Sequence, residues 1–310
     1  GAVPVFVDVD LETFNIDTSK LEAALSSKTK AVMIAHTLGN PFDLSAVSEF
    51  CKQNNLWLVE DNCDALGSKY KNKFTGTWGD IGTSSFYPPH HMTMGEGGAV
   101  YTDDPLLKKI MLSMRDWGRD CWCDSGVDNT CSNRFSGQHG KLPFGYDHKY
   151  VYSHFGYNLK ATDMQASIGC AQLEKFPAFV EKRKVNFARL RGGLKSLEDK
   201  LILPKATEDS DPSWFGFLIT IKDGTSIKRN ALVEFLESKN IQTRNLFAGN
   251  ITKHPCFDSL KEGADYRICG GLKNTDKIMN DSFWIGLYPG MTDEMIDYMI
   301  NSISEYLSGK

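Results

Sequence analysis

Short apolar runs alternate with helix-type patterns through the first half of the chain. The helical segments repeat apolar residues every three to four positions, whereas the strands are short apolar runs bounded by turn residues. Strands are predicted at residues 4–10, 30–36, 56–61, 80–87 and 97–102, and helices at residues 18–27, 44–55 and 104–118. The run at 56–61 is typical of a fully buried strand. This order predicts an α/β fold with a mostly parallel sheet and helices on both faces.

Residues 118–146 interrupt this rhythm with a segment rich in glycine, serine, aspartate and asparagine. The segment is longer than an ordinary connection in a compact domain, and it contains three of the eight cysteines. We therefore interpret it as a functional insertion rather than as a plain loop.

The second half of the chain begins with a long helical pattern from about residue 162 to residue 197. Pro177 lies inside it and is expected to bend or split the helix. A strand at 214–221 and helices at 226–240 and 292–308 follow. We place a domain boundary at this proline, which divides a large domain, residues 1–176, from a smaller C-terminal α/β domain, residues 177–310.

Composition places the chain among soluble globular proteins. Of its 310 residues, 41% are apolar and 24% are charged, and the net charge is −4. This balance gives no electrostatic footprint for nucleic acid or for an anionic membrane. No apolar run approaches the roughly 18 residues that a membrane helix needs. The first residues lack the features of a signal peptide, so we expect a cytoplasmic protein.

Four of the cysteines form a pattern of their own. Cys63, Cys121, Cys123 and Cys131 are spaced C-x57-C-x1-C-x7-C. Four thiolates can hold a [2Fe–2S] cluster, and four cysteines also suit structural zinc, although zinc sites usually show two C-x2–4-C pairs. The spacing alone does not decide between these metals. The remaining cysteines are expected to be small buried apolar residues: Cys51, Cys170, Cys256 and Cys269.

The stretch "SFYPPHHMTMGEGG", residues 85–98, predicts an active-site loop after a strand. It carries His90 and His91 but no lysine. Upstream, Asp61 ends a predicted buried strand, where ligands of α/β sheets bind. Its carboxylate could meet a protonated pyridine nitrogen of a cofactor, or it could merely cap the next helix. Ser85 could bind a phosphate, and the glycine turn allows the backbone to approach a ligand.

Several stretches carry a resemblance to a known family: "VFVDVDLETFNIDTSKLEAAL", "VEDNCDALGSKYKNKFTGTWGDIGTSSFYP", "GEGGAVYTDD" and "GYNLKATDMQA". They resemble the DegT-type sugar aminotransferases, fold-type I pyridoxal phosphate enzymes that act on nucleotide-linked keto sugars. The resemblance implies that Asp61 meets the pyridine nitrogen and that Ser85 binds the phosphate. It implies further that Asp64 approaches the cofactor. Asn158 would reach the cofactor phosphate of the partner subunit in a homodimer.

The loop departs from the family at one position, where His90 replaces the lysine that binds the cofactor covalently. An imidazole cannot form that bond, but it can act as a general base near neutral pH. We therefore expect pyridoxamine phosphate held without a covalent bond. We also expect loss of a hydroxyl next to the keto group instead of amino transfer. His91 is expected to have only a structural role.

Histidine combined with the cysteine spacing resembles the iron–sulfur dehydrases of this family, which serve 3,6-dideoxysugar synthesis. This implies a [2Fe–2S] cluster, a CDP-linked 4-keto-6-deoxyglucose substrate and a separate NADH-dependent flavin iron–sulfur reductase. Candidates for the sugar pocket are Tyr87, Phe215 and Arg244. Two alternatives remain: a cluster-free dehydratase of a GDP-linked keto sugar, and an inactive metal-bound scaffold. Relatives have a further cofactor-binding stretch before "GAVPVFVDVD", so we expect the N-terminal part of the family fold to be missing here.

Overall fold

A computed structural model of the chain describes residues 1–308. Its helices are α1 Leu21–Ala24, α2 Leu44–Gln53, α3 Pro105–Arg115, α4 Asp163–Leu194, α5 Arg229–Ser238, α6 Lys273–Asp281 and α7 Asp293–Ser308. Its strands are β1 Val5–Val7, β2 Ala31–Ala35, β3 Trp57–Asp61, β4 Lys69–Tyr70, β5 Lys73–Phe74, β6 Ile81–Ser85, β7 Gly98–Tyr101, β8 Leu201–Ile202, β9 Ser210–Asp211, β10 Gly216–Ile221, β11 Thr243–Arg244, β12 Arg267–Cys269 and β13 Ser282–Gly286. Short 3-10 helices lie at Thr18–Lys20, Thr37–Gly39, His148–Tyr150, Lys195–Leu197, Ile251–Lys253 and Pro255–Phe257.

The predicted large domain is built on a four-stranded sheet with the order β2-β3-β6-β7. The first three strands are parallel, and β7 runs antiparallel to β6. The prediction of a mostly parallel sheet is therefore confirmed. Helix α2 connects β2 to β3 and begins at Asp43, whose carboxylate accepts the N–H of Ala46 at 2.9 Å. Its buried Val47 and Phe50 belong to one apolar cluster with Leu58 of β3.

Only one face of this sheet is covered within residues 1–308. Side chains alternate along β3, so Leu58 and Glu60 are buried while Trp57 is 49% exposed. Met33 of the neighbouring strand is 70% exposed on the same open face. The expectation of helices on both faces, with a fully buried strand at 56–61, is therefore wrong for the described residues. Asp61, the last residue of β3, therefore lies on this open face.

Helix α4 is a single helix of 32 residues, so the expected split at Pro177 is wrong. Thr162 and Gln165 form a capping box at its start. Proline removes one helical hydrogen bond, but the C-terminal half of α4 compensates by burying Phe187 and Leu190 in the core of the second domain. The domain boundary at 176/177 stays a prediction, and it falls within this continuous helix.

The C-terminal part contains an antiparallel sheet with the order β11-β13-β10-β8. Every residue of β10 is buried. One face packs in an apolar cluster with α4, α5 and α7, and Leu218 on the other face packs in a cluster with Ile278 of α6. Two further pairings cross between the halves of the chain. Strand β1 runs parallel to β12, and β4 pairs with both β5 and β9. The N-terminal strand is therefore anchored to the C-terminal part.

The insertion at 118–146 contains neither helix nor strand. At its end, the guanidinium of Arg134 pairs with both carboxylate oxygens of Asp147, at 2.9 and 2.8 Å. The interpretation of the other cysteines is half right: Cys51 and Cys269 are buried, but Cys170 and Cys256 are exposed, on α4 and on a surface 3-10 turn. In the described part of the chain, each helix lacks the length or the apolarity that crossing a bilayer requires.

Glu60 anchors β3 from inside the large domain. Its fully buried carboxylate accepts the backbone N–H groups of Gly76, Trp78 and Gly79 at 2.6–2.7 Å, and Nε2 of His36 lies 3.1 Å away. Nδ1 of that imidazole accepts a backbone N–H, so Nε2 carries the proton. Burial raises the pKa of Glu60, but the hydrogen bonds outweigh it and the pKa is lowered overall. The carboxylate is therefore held charged.

We expect Glu60→Gln to lower the free energy of unfolding by about 2–4 kcal/mol, since the amide places donors against backbone donors and removes a paired buried charge. Urea denaturation followed by circular dichroism measures it. The matched control is Glu234→Gln on exposed Glu234 of α5, which should change the value by less than about 0.5 kcal/mol. Equal losses in both variants would contradict the anchoring role.

Candidate active site

Three polar side chains share the open face of the sheet at the carboxyl ends of its parallel strands. Asp61 pairs in register with Thr83, and Ser85 follows two residues later, so all three point the same way. Oδ1 of Asp61 accepts the N–H of Cys63 at 3.0 Å and the hydroxyl of Thr83 at 3.4 Å. Ser85 Oγ accepts the N–H of Tyr87 at 3.2 Å, which leaves its own O–H to be donated to a ligand. These side chains could bind a ligand that carries a positively charged aromatic ring and a phosphate.

A cavity of about 1140 Å³ lies between the 85–98 loop and residues of the C-terminal part of the chain. Tyr87, His90 and Asp64 line it on one side, and Phe215 and Arg244 line it on the other. The three predicted sugar-pocket residues therefore share one cavity with the predicted base. Asp61 and Ser85 lie outside this lining, on the open face of the sheet.

His90 is held by contacts on several sides. Its Nε2 lies 3.3 Å from Oδ1 of Asp64. The rings of Tyr87 and Phe215 meet the imidazole edge to face, with ring centroids 5.6 and 5.5 Å away. Nδ1 is buried and has no hydrogen-bond partner among the described residues. Asp64, expected at the cofactor, thus contacts the imidazole at Nε2, and Nδ1 is left without a partner among the described residues.

His91 packs into the protein and differs in this from its neighbour. It is 2% exposed, and its Nε2 lies 2.6 Å from the carbonyl oxygen of Ser213. Burial, with the nearby charge of Arg183, lowers the pKa of His91 to about 3. The imidazole is therefore neutral at ordinary pH and donates to that carbonyl, which agrees with the predicted structural role.

Arg183 is a residue of the cavity that the sequence pattern did not reveal. It is 2% exposed, and its guanidinium donates to the carbonyl groups of Trp214, Phe215 and Leu287. Burial lowers the pKa of Arg183 to about 10, which keeps it charged. These bonds fix the backbone that presents Phe215. The available signal was its spacing, since Arg183 lies one turn before Phe187 on the apolar stripe of α4.

Asn158 lies away from the cavity within this chain. It is exposed, bridges to the backbone of Asp116 and accepts a hydrogen bond from the ammonium of Lys160. Its expected contact with the cofactor of a partner subunit stays a prediction.

Three of the four patterned cysteines line one small cavity in the insertion: Cys121, Cys123 and Cys131. The N–H of Thr130 donates to the sulfur of Cys123, and the N–H of Asn133 donates to that of Cys131, both at 3.4 Å. Backbone N–H donors at sulfur are a feature of metal–thiolate sites. The three sulfurs therefore suit a metal or an iron–sulfur group.

The pKa values of these thiols differ. The hydrogen bond from Thr130 lowers the pKa of Cys123, and contact with His148 lowers that of Cys131. Burial raises the pKa of Cys121. Two of the three thiols are thus predisposed to be thiolates, which are the form that binds metals.

Cys63 lies apart from these three cysteines, two residues after Asp61. Its sulfur is 3.9 Å from the hydroxyl of Thr83, and residues 1–308 show no contact between it and the other three cysteines. Burial and the neighbouring Asp61 raise the pKa of Cys63 to about 12. The structure therefore brings together three of the four predicted ligands and places the fourth beside the predicted pyridine-nitrogen partner.

Asp120 and His148 are two further residues that sequence reasoning missed. They lie together beside Cys131, with Nε2 of the imidazole 2.6 Å from the carboxylate. The signals were weak: the aspartate directly precedes Cys121, and the histidine follows the insertion.

Comparison with known proteins gives a consistent result. The model of the DegT/DnrJ/EryC1/StrS aminotransferase family matches residues 1–304. The lipopolysaccharide biosynthesis protein RfbH of Salmonella typhimurium is 58% identical over 306 residues, which is 99% of this chain and 69% of that protein.

Two further relatives have names that state a reaction. A dTDP-4-dehydro-2,6-dideoxy-D-glucose 3-dehydratase of Saccharopolyspora spinosa is 54% identical over 99% of this chain and 66% of its own length. The structure of the E. coli GDP-4-keto-6-deoxy-D-mannose-3-dehydratase with bound hydrated PLP superposes with a TM-score of 0.83 at 28% identity. It covers 96% of this chain and 73% of that one. The chain thus spans about two thirds of the length of the curated relatives.

The two adjacent histidines should differ in their effect on stability. We expect His91→Phe to lower the free energy of unfolding by about 1–3 kcal/mol, because the buried Ser213 carbonyl loses its donor. His90→Phe should cost less than about 1 kcal/mol, because its ion-pair partner is partly exposed. Urea titration at pH 7 measures both values.

The pH dependence of the free energy of unfolding gives a second test of His91. An unfolded histidine titrates near pH 6.5, whereas folded His91 titrates at about 3. Between these values the unfolded chain binds the extra proton, so wild-type stability falls as the pH drops from about 6.5 towards 3. This loss should be smaller in His91→Phe than in wild type. An identical acid loss in His91→Phe and wild type would show that His91 is not held neutral.

Proposed function

The chain belongs to the DegT/DnrJ/EryC1/StrS aminotransferase family, and from that membership we propose that it is a pyridoxamine-phosphate-dependent 3-dehydratase of a nucleotide-linked 4-keto-6-deoxyhexose. The names of two relatives, a dTDP-linked and a GDP-linked sugar 3-dehydratase, support this reaction. The relative with the highest identity among those described is a lipopolysaccharide biosynthesis protein, which supports a place in deoxysugar synthesis.

The observation that carries the proposal is the histidine in the cavity. His90 lies where the family resemblance implies a cofactor-binding lysine, and no lysine lines the cavity within residues 1–308. Its Nε2 is held by Asp64, while Nδ1 has no protein partner. An imidazole held in this way can move a proton but cannot tether the cofactor. This favours elimination over amino transfer.

Bound pyridoxamine phosphate would supply an amine that condenses with the keto group of the substrate and a ring that accepts electrons. In this proposal Asp61 keeps its carboxylate at the ring nitrogen, and Ser85 donates its hydroxyl to the phosphate. His90 accepts a proton at its imidazole ring. Asp64 stabilises the imidazolium so formed, as an acidic residue does for a catalytic histidine.

For the nucleotide we propose CDP. The support is the resemblance of the cysteine spacing to that of CDP-4-keto-6-deoxyglucose-3-dehydrase. The alternative nucleotide is dTDP, because one relative is named as a dTDP-linked sugar 3-dehydratase. Arg244 is the proposed contact for the diphosphate, because its guanidinium reaches the cavity and carries no ion pair among the described residues. Turnover with CDP-, dTDP- and GDP-linked keto sugars at equal concentration is the measurement that decides the nucleotide.

We propose further that the cysteines hold a [2Fe–2S] cluster. The support is the shared cavity of Cys121, Cys123 and Cys131 and the N–H donors at two of the sulfurs. Cys63, beside Asp61, is the proposed fourth ligand. The cluster would supply single electrons to the dehydrated sugar. A separate NADH-dependent flavin iron–sulfur reductase is the proposed source of these electrons.

The proposed assembly is a cytoplasmic homodimer. Asn158 supports it, because this amide is exposed and distant from the cavity of its own chain, as a residue serving a partner's cofactor would be. The apolar residues on the open sheet face, such as Met33 and Val100, are also available for burial in a larger assembly.

We expect His90→Asn to retain pyridoxamine phosphate but to lower the rate of dehydration by about 10²–10⁴-fold, since the proton acceptor is lost. Exchange of the C4′ hydrogen of the bound cofactor with deuterated water should fall with it. Cofactor retention is measured by absorbance after gel filtration. The control is His254→Asn, which changes a histidine outside the cavity. Undiminished exchange in His90→Asn would remove His90 from the mechanism.

We expect Cys123→Ser to abolish the bound iron and labile sulfide while pyridoxamine phosphate and the initial dehydration survive. The reason is that a serine hydroxyl ligates iron poorly, and the cysteine lies outside the cavity that holds His90. The matched control is Cys256→Ser, at an exposed cysteine, which should keep wild-type iron. Wild-type protein that holds zinc without sulfide, or neither metal, would refute the cluster and favour the cluster-free reading.

A further inference from the structure

His148 is the buried imidazole at the edge of the cysteine-bearing insertion. It starts a 3-10 helix whose N-cap is Asp147, and it is 5% exposed. The ion pair between Arg134 and Asp147 also holds this turn. The ring thus has a rigid backbone beneath it, although the three cysteines around it lie on irregular chain.

The two ring nitrogens of His148 have different partners. Nδ1 lies 3.3 Å from the sulfur of Cys131, and Nε2 lies 2.6 Å from Oδ2 of Asp120. The other oxygen of Asp120 accepts the hydroxyl of Ser153 at 2.8 Å. A carboxylate, an imidazole and a cysteine sulfur therefore form one continuous chain of contacts.

Two aromatic neighbours fix the plane of the ring. His139 stacks on it with centroids 4.8 Å apart and planes 2° from parallel, and Trp122 meets it edge to face at 5.7 Å. With Asp120 at one nitrogen, the ring can neither tilt nor flip without losing a contact. Its Nδ1 is held in the direction of the sulfur.

The acceptors around the ring determine whether Nδ1 donates or accepts a hydrogen bond when a metal is bound. A cysteine that ligates a metal is a thiolate and offers only lone pairs. Asp120 is also an acceptor, so both ring nitrogens must donate. From this geometry we infer that His148, oriented by Asp120, is a positioning residue that donates an N–H···S hydrogen bond to Cys131 of the metal centre. The inference rests on the proposed cluster and assigns to it an outer shell.

Such a bond has a defined effect on an iron–sulfur group. Donors at sulfur draw electron density from the cluster and make its reduction easier. Outer-shell partners of a ligand also fix its orientation. His148 would therefore raise the reduction potential of the centre and hold Cys131 in place on an otherwise exposed loop.

A separate ion held by Asp120, His139 and His148 is the competing interpretation of the same side chains, whose ligand atoms lie within 4.8 Å of one another. The stacked rings argue against it. The lone pair of an imidazole nitrogen lies in the ring plane, and two parallel, stacked rings cannot both direct a lone pair at one ion. Asp120 already uses one oxygen for the imidazole and the other for Ser153.

The test measures iron, labile sulfide and reduction potential in the reconstituted full chain with wild type, His148→Phe, His148→Asn and Asp120→Asn. We expect His148→Phe to keep iron and sulfide but to show at least a tenfold lower reduced-to-oxidised ratio at fixed potential, about 59 mV for one electron. His148→Asn can keep a donor near the position of Nδ1 and should shift less. Asp120→Asn should shift in the same direction as His148→Phe. The control His154→Gln changes an exposed histidine outside the insertion and should match wild type.

Each other outcome overturns a defined claim. A wild-type potential in His148→Phe refutes the hydrogen bond. Loss of all iron from a folded His148→Phe makes His148 a ligand instead of a positioning residue, which also refutes the inference. If circular dichroism shows His148→Phe unfolded, a wild-type potential in Asp120→Asn refutes it. Wild-type protein without iron and sulfide refutes the proposed cluster itself, which separates that failure from the others.

Discussion

The hydrogen bonds that hold Glu60 inside the large domain determine which way Asp61 faces. Side chains alternate along β3, so a buried Glu60 requires an outward Asp61. A slip of one residue would expose the charge of Glu60 and drive Asp61 into the apolar cluster around Leu58. The turn at residues 76–79 prevents this slip, because its three backbone N–H groups reach only a carboxylate that points inward.

The rest of the site follows from that register. Parallel pairing with β6 sets Thr83 beside Asp61, and the same alternation turns Ser85 to the same face. The chain leaving β6 then crosses to the C-terminal domain, where His90 meets Phe215. Arg183 donates to the carbonyl groups of Trp214 and Phe215, which holds the backbone at that contact. The cavity thus depends on a sheet register in one part of the chain and on a buried guanidinium in the other.

Local features of the site could be predicted from the sequence, and distant ones could not. Asp61 and Ser85 were predictable because each ends a strand, and strand ends of a parallel sheet share an edge. The contact between His148 and Cys131 was not, because it joins residues across an irregular insertion that has no periodicity. The predicted split at Pro177 does not occur, because the packing of α4 outweighs one lost hydrogen bond. The strand that contains Trp57 was predicted to be fully buried, because an apolar sequence does not reveal whether both faces of its strand are covered.

A histidine in place of a tethering lysine transfers the task of positioning to noncovalent contacts. A covalent bond fixes cofactor and base together, whereas a free cofactor meets a base that must already be oriented. Asp64 at Nε2 and the edges of Tyr87 and Phe215 provide this orientation without occupying Nδ1. The neighbouring His91 contributes rigidity, because its bond to Ser213 fastens the loop to the C-terminal domain. The pair "HH" therefore divides two tasks: in the proposed mechanism the first imidazole transfers the proton, and the second holds the loop that positions it.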